Sequence, residues 1–293
     1  MKAFGSYHPL VSLVYFISVL LIAMFAVNPI IQISALVGGC MFCFMLQSKG
    51  RVLSDIGFYV PLFFLVSVTN PLFSHNGVTP LFFLNGNPVT LEAVIYGIAI
   101  AVTVIGVMMW CKCYSEIITT DKFLYLFSRI VPKISLIISM ALRFIPNFKR
   151  QLKRVSRAQK AMGMYSSKSY YDRIRNAMRI FMAMISWSLE NSIEVSLSMK
   201  ARGYGVVKRT TFSLFRFRKN DVYILSAIVL LSLVSLFGIA MGETIFYYYP
   251  SISAINFSPL AVTAYISYGI TATLPFIIEF KEAVLWKYYI SKI

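Results

Sequence analysis

The sequence predicts an all-α, polytopic membrane protein with about six transmembrane helices and long cytoplasmic amphipathic helices. Three observations carry that prediction. The 293 residues are 58% apolar and 13% charged, whereas water-soluble domains average about 45–50% and about 25%. Six apolar runs are long enough to cross a bilayer, which needs about 17–25 helical residues because hydrocarbon offers no partner for backbone polar groups. The charge is also segregated. The chain carries +17 overall, yet residues 143–219 hold 18 of the 28 basic residues and three acids, Asp172, Glu190 and Glu194, a net +15.

Taken in order, the spans are residues 10–27, 30–46, 56–73, 93–111, 222–241 and 260–278. Asn28-Pro29 separates the first two, a turn dipeptide that breaks helix and makes a tight transmembrane hairpin. The first run is too long for a signal peptide, lacks an A-x-A site and is followed at once by a second span, so it is expected in the mature protein. Orientation follows from Lys and Arg, which are retained on the cytoplasmic side. With the N-terminus inside, the outer loops 28–29, 74–92 and 242–259 contain no Lys or Arg, and all 28 basic residues fall inside. Both termini are therefore expected in the cytoplasm. The chain divides into a four-span membrane region at 1–111, a cytoplasmic helical module at 112–220, and a two-span region with a basic tail at 221–293.

Within the module, the apolar runs 134–142 and 180–189 are too short to span, and each continues into a basic stretch. The first helix should begin near Pro132, a favourable early helical position, and run through Arg143, Lys149, Arg150, Lys153, Arg154 and Arg157 toward Gly163, bent at Pro146. The second should run from about Tyr171 to Arg202. Ile174, Met178, Phe181, Ile185 and Leu189 recur on one of its faces at three- and four-residue steps, for lipid or a partner helix. Anionic inner-leaflet lipid would favour the basic faces by about 1 kcal/mol per nearby Lys or Arg. Both helices end in glycine after a cation, Lys160-Ala161-Met162-Gly163 and Lys200-Ala201-Arg202-Gly203. Taken alone, each ending reads as an ordinary helix C-cap.

Catalytic signals are sparse. His8 and His75 read as surface histidines, and Cys40-x-x-Cys43 inside the second span reads as packing. Neither a P-loop nor a G-x-S-x-G elbow is present, so no metal, cofactor or catalytic residue is expected. Glu190 and Glu194, one turn apart, read either as local ion pairs or as steering groups for the adjoining tip. Glu92 and Glu279 read as interfacial, and no central intramembrane charge marks an ion path. Nucleic acid is not an expected partner, since no recognition module is legible and the inner leaflet competes for the charge. Two further classes fit the composition: a membrane-embedded enzyme or a scaffold acting on anionic lipid or isoprenoid phosphate at the inner leaflet.

The order of motifs points elsewhere. Thr119-Thr120, Pro132, Arg143-Phe144-Ile145-Pro146, Ala158-Gln159-x-Ala161-x-Gly163 and Met199-x-Ala201-Arg202-Gly203-Tyr204 follow one another over about 90 residues. This resembles the transmembrane, or T, component of energy-coupling factor transporters, the vitamin and metal-ion importers powered by a pair of ABC-type ATPases. The resemblance implies a non-catalytic subunit that transmits ATP-driven motion to a separate substrate-binding membrane subunit. It implies that 112–220 is a coupling-helix module whose two helices each dock on one ATPase through an Ala-Arg-Gly tip. Carried over, Ala201, Arg202 and Gly203 form one tip and Ala161, Met162 and Gly163 the other, with Arg143, Pro146, Gln159 and Glu194 as supporting residues. The departure is Met162, which stands where the family has Arg. Methionine fills an adaptable apolar groove but makes no charge-assisted bond, so the two tips are expected to bind differently, to non-identical ATPases.

Overall fold

The computed structural model describes residues 3–47, 49–74, 76–84, 87–163, 169–206 and 215–291. His75 lies outside the described residues. Two compact units emerge, Met1–Phe123 with Phe215–Ile293, and Leu124–Leu214.

The first unit contains six long apolar helices, α1 (Pro9–Phe25), α2 (Pro29–Leu46), α3 (Lys49–Phe73), α4 (Leu91–Ile117), α8 (Lys219–Ala240) and α9 (Pro259–Ile290). Each predicted span corresponds to one of them, the first running two residues and the fifth one residue past the helix end. Five are long and apolar enough to cross a membrane, and α1, at 17 residues, is a shorter apolar helix. Their starts follow from local chemistry. Pro9, Pro29 and Pro259 sit at first helical positions, where a missing N–H costs nothing. The side chains of His8, Asn28, Thr90 and Ser258 accept from otherwise orphaned N–H groups of the first turns.

An aromatic core joins α1, α2 and α4. Phe4, Tyr15, Phe16, Phe42 and Trp110 are fully buried, with ring centroids 5.2–6.4 Å apart. Their polar atoms are satisfied within the helices: Trp110 Nε1 donates to Ala35 O (2.9 Å), and the Tyr15 hydroxyl donates to Thr271 O (3.1 Å). Helix α2 presses against α9 so closely that a Cβ on Gly38 would stand 2.8 Å from Ala272 Cβ, the small-residue contact typical of helices packing in lipid. Helix α3 is peripheral. Only 6% of its apolar window is buried, against 44% for α9, and Phe64 and Leu65 are exposed to what is hydrocarbon in a membrane.

Four features differ from the sequence expectation. Helix α4 continues past Cys111 to Ile117 and α9 past Ile278 to Ile290. In α4 the charges that resembled an interface are neutralised on the helix, where Lys112 pairs with Asp55 and Glu116 with Arg51 of α3. A short antiparallel pair, β1 (Pro80–Leu84) with β2 (Asn87–Thr90), lies between α3 and α4 and is the one sheet among the described residues. His8 is buried rather than at the surface, its ring 4.9 Å from that of Phe217. Glu92 and Glu279 are also buried, because each carboxylate accepts hydrogen bonds from the fold, Glu92 from Thr79 and Glu279 from Phe4 N–H.

The second unit is built from α6 (Pro132–Ala161) and α7 (Tyr170–Ala201), together with most of the amphipathic helix α5 (Thr120–Ile130). Helix α6 starts at Pro132, as expected, and remains a single helix through Pro146.

Candidate functional site

The geometry of α6 and α7 can be built from their contacts. Phe144 and Phe148 pack on Trp187, with ring centroids 5.9 and 6.3 Å apart. Toward the start of α6, Leu136, Met140 and Arg143 line one cleft with Ser198, Met199 and Arg202 from the end of α7. Numbers fall along one helix as they rise along the other, so the pair is antiparallel. The end of α7 therefore lies beside the start of α6, and the end of α6 lies far from it. At 1.5 Å per residue, the 26 residues from Leu136 to Met162 place the two helix tips about 40 Å apart.

The two tips share one backbone design. Met162 and Arg202 are the C-cap residues, with φ/ψ of −78°/9° and −80°/6°. Gly163 and Gly203 follow in the left-handed region, at φ 74° and 73°. Gly163 N–H donates to Lys160 O at 3.1 Å, and Gly203 N–H donates to Lys200 O at 2.9 Å. At the second tip Tyr204 N–H also donates to Met199 O (3.1 Å), which completes a Schellman motif and satisfies the terminal carbonyls. The C-cap reading of both sequences is thus correct for the backbone. A Cβ on either glycine would meet nothing within 4 Å, so glycine is needed for its backbone angle and not for space.

The caps leave their side chains free for something else. Ala161, Met162, Gly163, Ala201, Arg202 and Gly203 are all accessible, with Met162 64% exposed. Around Arg202 the surface is concave and mixed: a cleft of about 490 Å³ brings Arg143, Glu194, Asn147 and Asn191 together beside the apolar Leu136, Met140, Phe144, Val195 and Met199. Glu190 and Glu194 make no ion pair with a described residue, so Glu194 is a carboxylate open to a partner beside Arg202. Gln159 belongs to the other end, buried one turn before Met162, its Oε1 without a partner among the described residues. Pro146 is exposed inside α6 and does not line that cleft. Arg143 and Glu194 therefore group with the Arg202 tip, and Gln159 with the Met162 tip.

The face of α7 that packs differs from the stripe legible in the sequence. Asn176, Ile180 and Met184 are buried, whereas Ile174, Met178, Phe181, Ile185 and Leu189 are 40–64% exposed. The polar lining residues Asn147, Asn191 and Ser198 also escaped sequence reasoning, since lone polar side chains on a basic helix carry no pattern.

These features define a multi-pass membrane protein that carries an antiparallel helix pair with two exposed, glycine-capped tips. A sequence profile of CbiQ, cobalt transport protein, matches residues 6–212, well over half of the 293-residue chain, and reaches from α1 through both tips. The energy-coupling factor transporter transmembrane protein EcfT of Listeria innocua serovar 6a is 27% identical over 197 residues, covering 59% of this chain and 74% of its own. The protein of the same name from Staphylococcus aureus is 27% identical over 188 residues, covering 59% and 70%. That of Brevibacillus brevis is 33% identical over 106 residues, covering 36% and 40%. The chain belongs to the CbiQ family and is a transmembrane component of an energy-coupling factor transporter.

Proposed function

We propose that this chain is the coupling subunit of its transporter and docks two ABC-type ATPases through the tips at Arg202 and Met162. The observation that carries the reading is the pair of matched, exposed C-caps at opposite ends of one antiparallel helix pair. A spacing of about 40 Å suits one tip per ATPase subunit. Arg202 offers a rigid fork of donors to a carboxylate or to exposed carbonyls, and Ala201 and Gly203 let a partner backbone approach. Met162 offers only adaptable apolar contact. The two ATPases are therefore non-identical, and Arg202 carries most of the docking energy.

In this reading the chain neither hydrolyses ATP nor holds the cargo, a vitamin or a metal ion. ATP binding closes the ATPases, the tips move with them, and the helix pair passes the motion to a substrate-binding membrane subunit. The exposed stripe from Ile174 to Leu189 is the surface offered to that subunit. Such transmission requires the helix pair to have different energies in the two ATPase states. The basic module 112–220 and both termini face the cytoplasm, where Lys and Arg are retained and anionic lipid is a further partner. A lipid-acting enzyme is the weaker reading, since the named relatives are transporter transmembrane proteins.

The test is mild-detergent affinity purification of tagged wild type and Arg202→Glu, with bound partners identified by mass spectrometry. Two ABC ATPases and a small hydrophobic subunit should accompany wild type, and the ATPases should be lost on charge reversal. A well-folded wild type that brings down no ATPase would overturn the coupling role.

A further inference from the structure

Residues 3–8 of the membrane unit are held by buried charged side chains from three different elements. Phe4 N–H donates to Glu279 Oε1 of α9 at 3.1 Å. The Gly5 carbonyl accepts from Lys122 Nζ of α5, and the same ammonium donates to Ile117 O at the end of α4 (3.1 Å). His8 N–H donates to Asp221 Oδ1 of α8 at 3.1 Å, while Asp221 Oδ2 accepts from Arg218 N–H at 2.8 Å. Lys122, Asp221 and Glu279 are 7%, 3% and 6% exposed. Burying a charge is costly unless it is well hydrogen-bonded, and here each of the three makes one bond to the backbone of the same short segment. Apolar contact seals it: the Phe4 ring is fully buried against Tyr15, Phe16 and Phe42.

The position of two of these charges gives the arrangement its meaning. The chain leaves the membrane unit after Phe123 and returns at Phe215. Lys122 is one residue before the departure, and soon after the return Arg218 is the N-cap of α8 and Asp221 stands in its first turn. Both covalent junctions between the helix pair and the membrane unit are fastened to the same six residues.

We propose that residues 3–8 are a fulcrum: they hold the two junctions at fixed separation, so that displacement of the tips turns the helix pair instead of stretching its attachments. Lys122 and Asp221 are the positioning residues. The proposal rests on the coupling role argued above. It differs from that role in predicting which part of the molecule stays still.

The test is a distance measurement by pulsed electron paramagnetic resonance on the purified full transporter, with the exposed Cys111 replaced by serine. Spin labels at Asp121→Cys and Lys219→Cys, both exposed positions, report the junctions, and a label pair at Lys219→Cys and Ala158→Cys reports the position of the helix pair against a junction. In wild type a non-hydrolysable ATP analogue should shift the helix-pair distribution and leave the junction distribution unchanged. In Lys122→Met and in the isosteric Asp221→Asn the junction distribution should broaden and shift with nucleotide, while Lys122→Arg restores it. An unchanged junction distribution in both variants overturns the fulcrum, as does a wild-type junction that moves as far as the helix pair. Loss of the complex in both variants also overturns it, because the segment would then serve folding alone. If wild type recovers no ATPase, or its helix pair ignores nucleotide, the coupling role itself fails, a result distinguishable from failure of the fulcrum.

Discussion

Two helix ends about 40 Å apart in this protein have the same backbone and opposite side chains. Met162 and Arg202 differ by only a few degrees in φ and ψ, each is followed by a left-handed glycine, and each is accessible. The cap is therefore a presentation device indifferent to what it presents. Chemistry enters only at the cap residue and its neighbours: Arg202 shares a cleft with the polar groups of Glu194, Asn147 and Asn191, whereas Met162 follows a buried glutamine and exposes an apolar chain. The comparison teaches that one backbone cap can carry two different chemistries.

Charge reversal breaks the comparison hardest. If Arg202 docks as proposed, Arg202→Glu should weaken ATPase docking by about 100-fold or more, since it would replace an attractive contact with repulsion. Pull-down yield at fixed detergent and salt reads the effect. Truncation comes next. Arg202→Ala should cost at least about 2 kcal/mol of docking energy and Met162→Ala about 1 kcal/mol or less, both by titration with purified ATPases. The reverse order would mean that the apolar tip dominates.

The backbone half of the comparison has its own test. Gly163→Ala and Gly203→Ala should each destabilise the local helix end by about 1–2 kcal/mol, because both place a Cβ on a left-handed residue. Equal losses of amide-exchange protection in the last turn of α6 and of α7 are expected. Inequality would show that the caps are not equivalent. The smallest effect is the dependence on salt. Between low and physiological ionic strength the Arg202 contact should weaken by a few-fold and the Met162 contact hardly at all, as the Debye length shrinks toward about 8 Å.

Much of this was legible in the sequence, and the gaps have physical causes. The six apolar helices of the membrane unit follow from hydropathy because lipid forces every backbone bond inside a helix. The tips follow from glycine after a cation. The extension of α4 past Cys111 was hidden because Lys112 and Glu116 look like an interface until Asp55 and Arg51 are seen beside them. The packed face of α7 was hidden because two apolar faces exist on one helix, and only the rings of Phe144 and Phe148 on Trp187 decide which turns inward. The burial of His8 was hidden because its partners, Asp221 and Phe217, are more than 200 residues away in sequence.

Which protein each tip touches is the most direct question. A photo-crosslinking amino acid placed in turn at Lys160 and Lys200, equivalent exposed positions in the last turns of α6 and α7, would capture the nearest partner for identification by mass spectrometry. The account predicts two different ABC ATPase polypeptides, one from each position, and loss of only the Lys200 product in Arg202→Glu at partial occupancy. Capture of the same ATPase, through the same peptide, at both positions would contradict it.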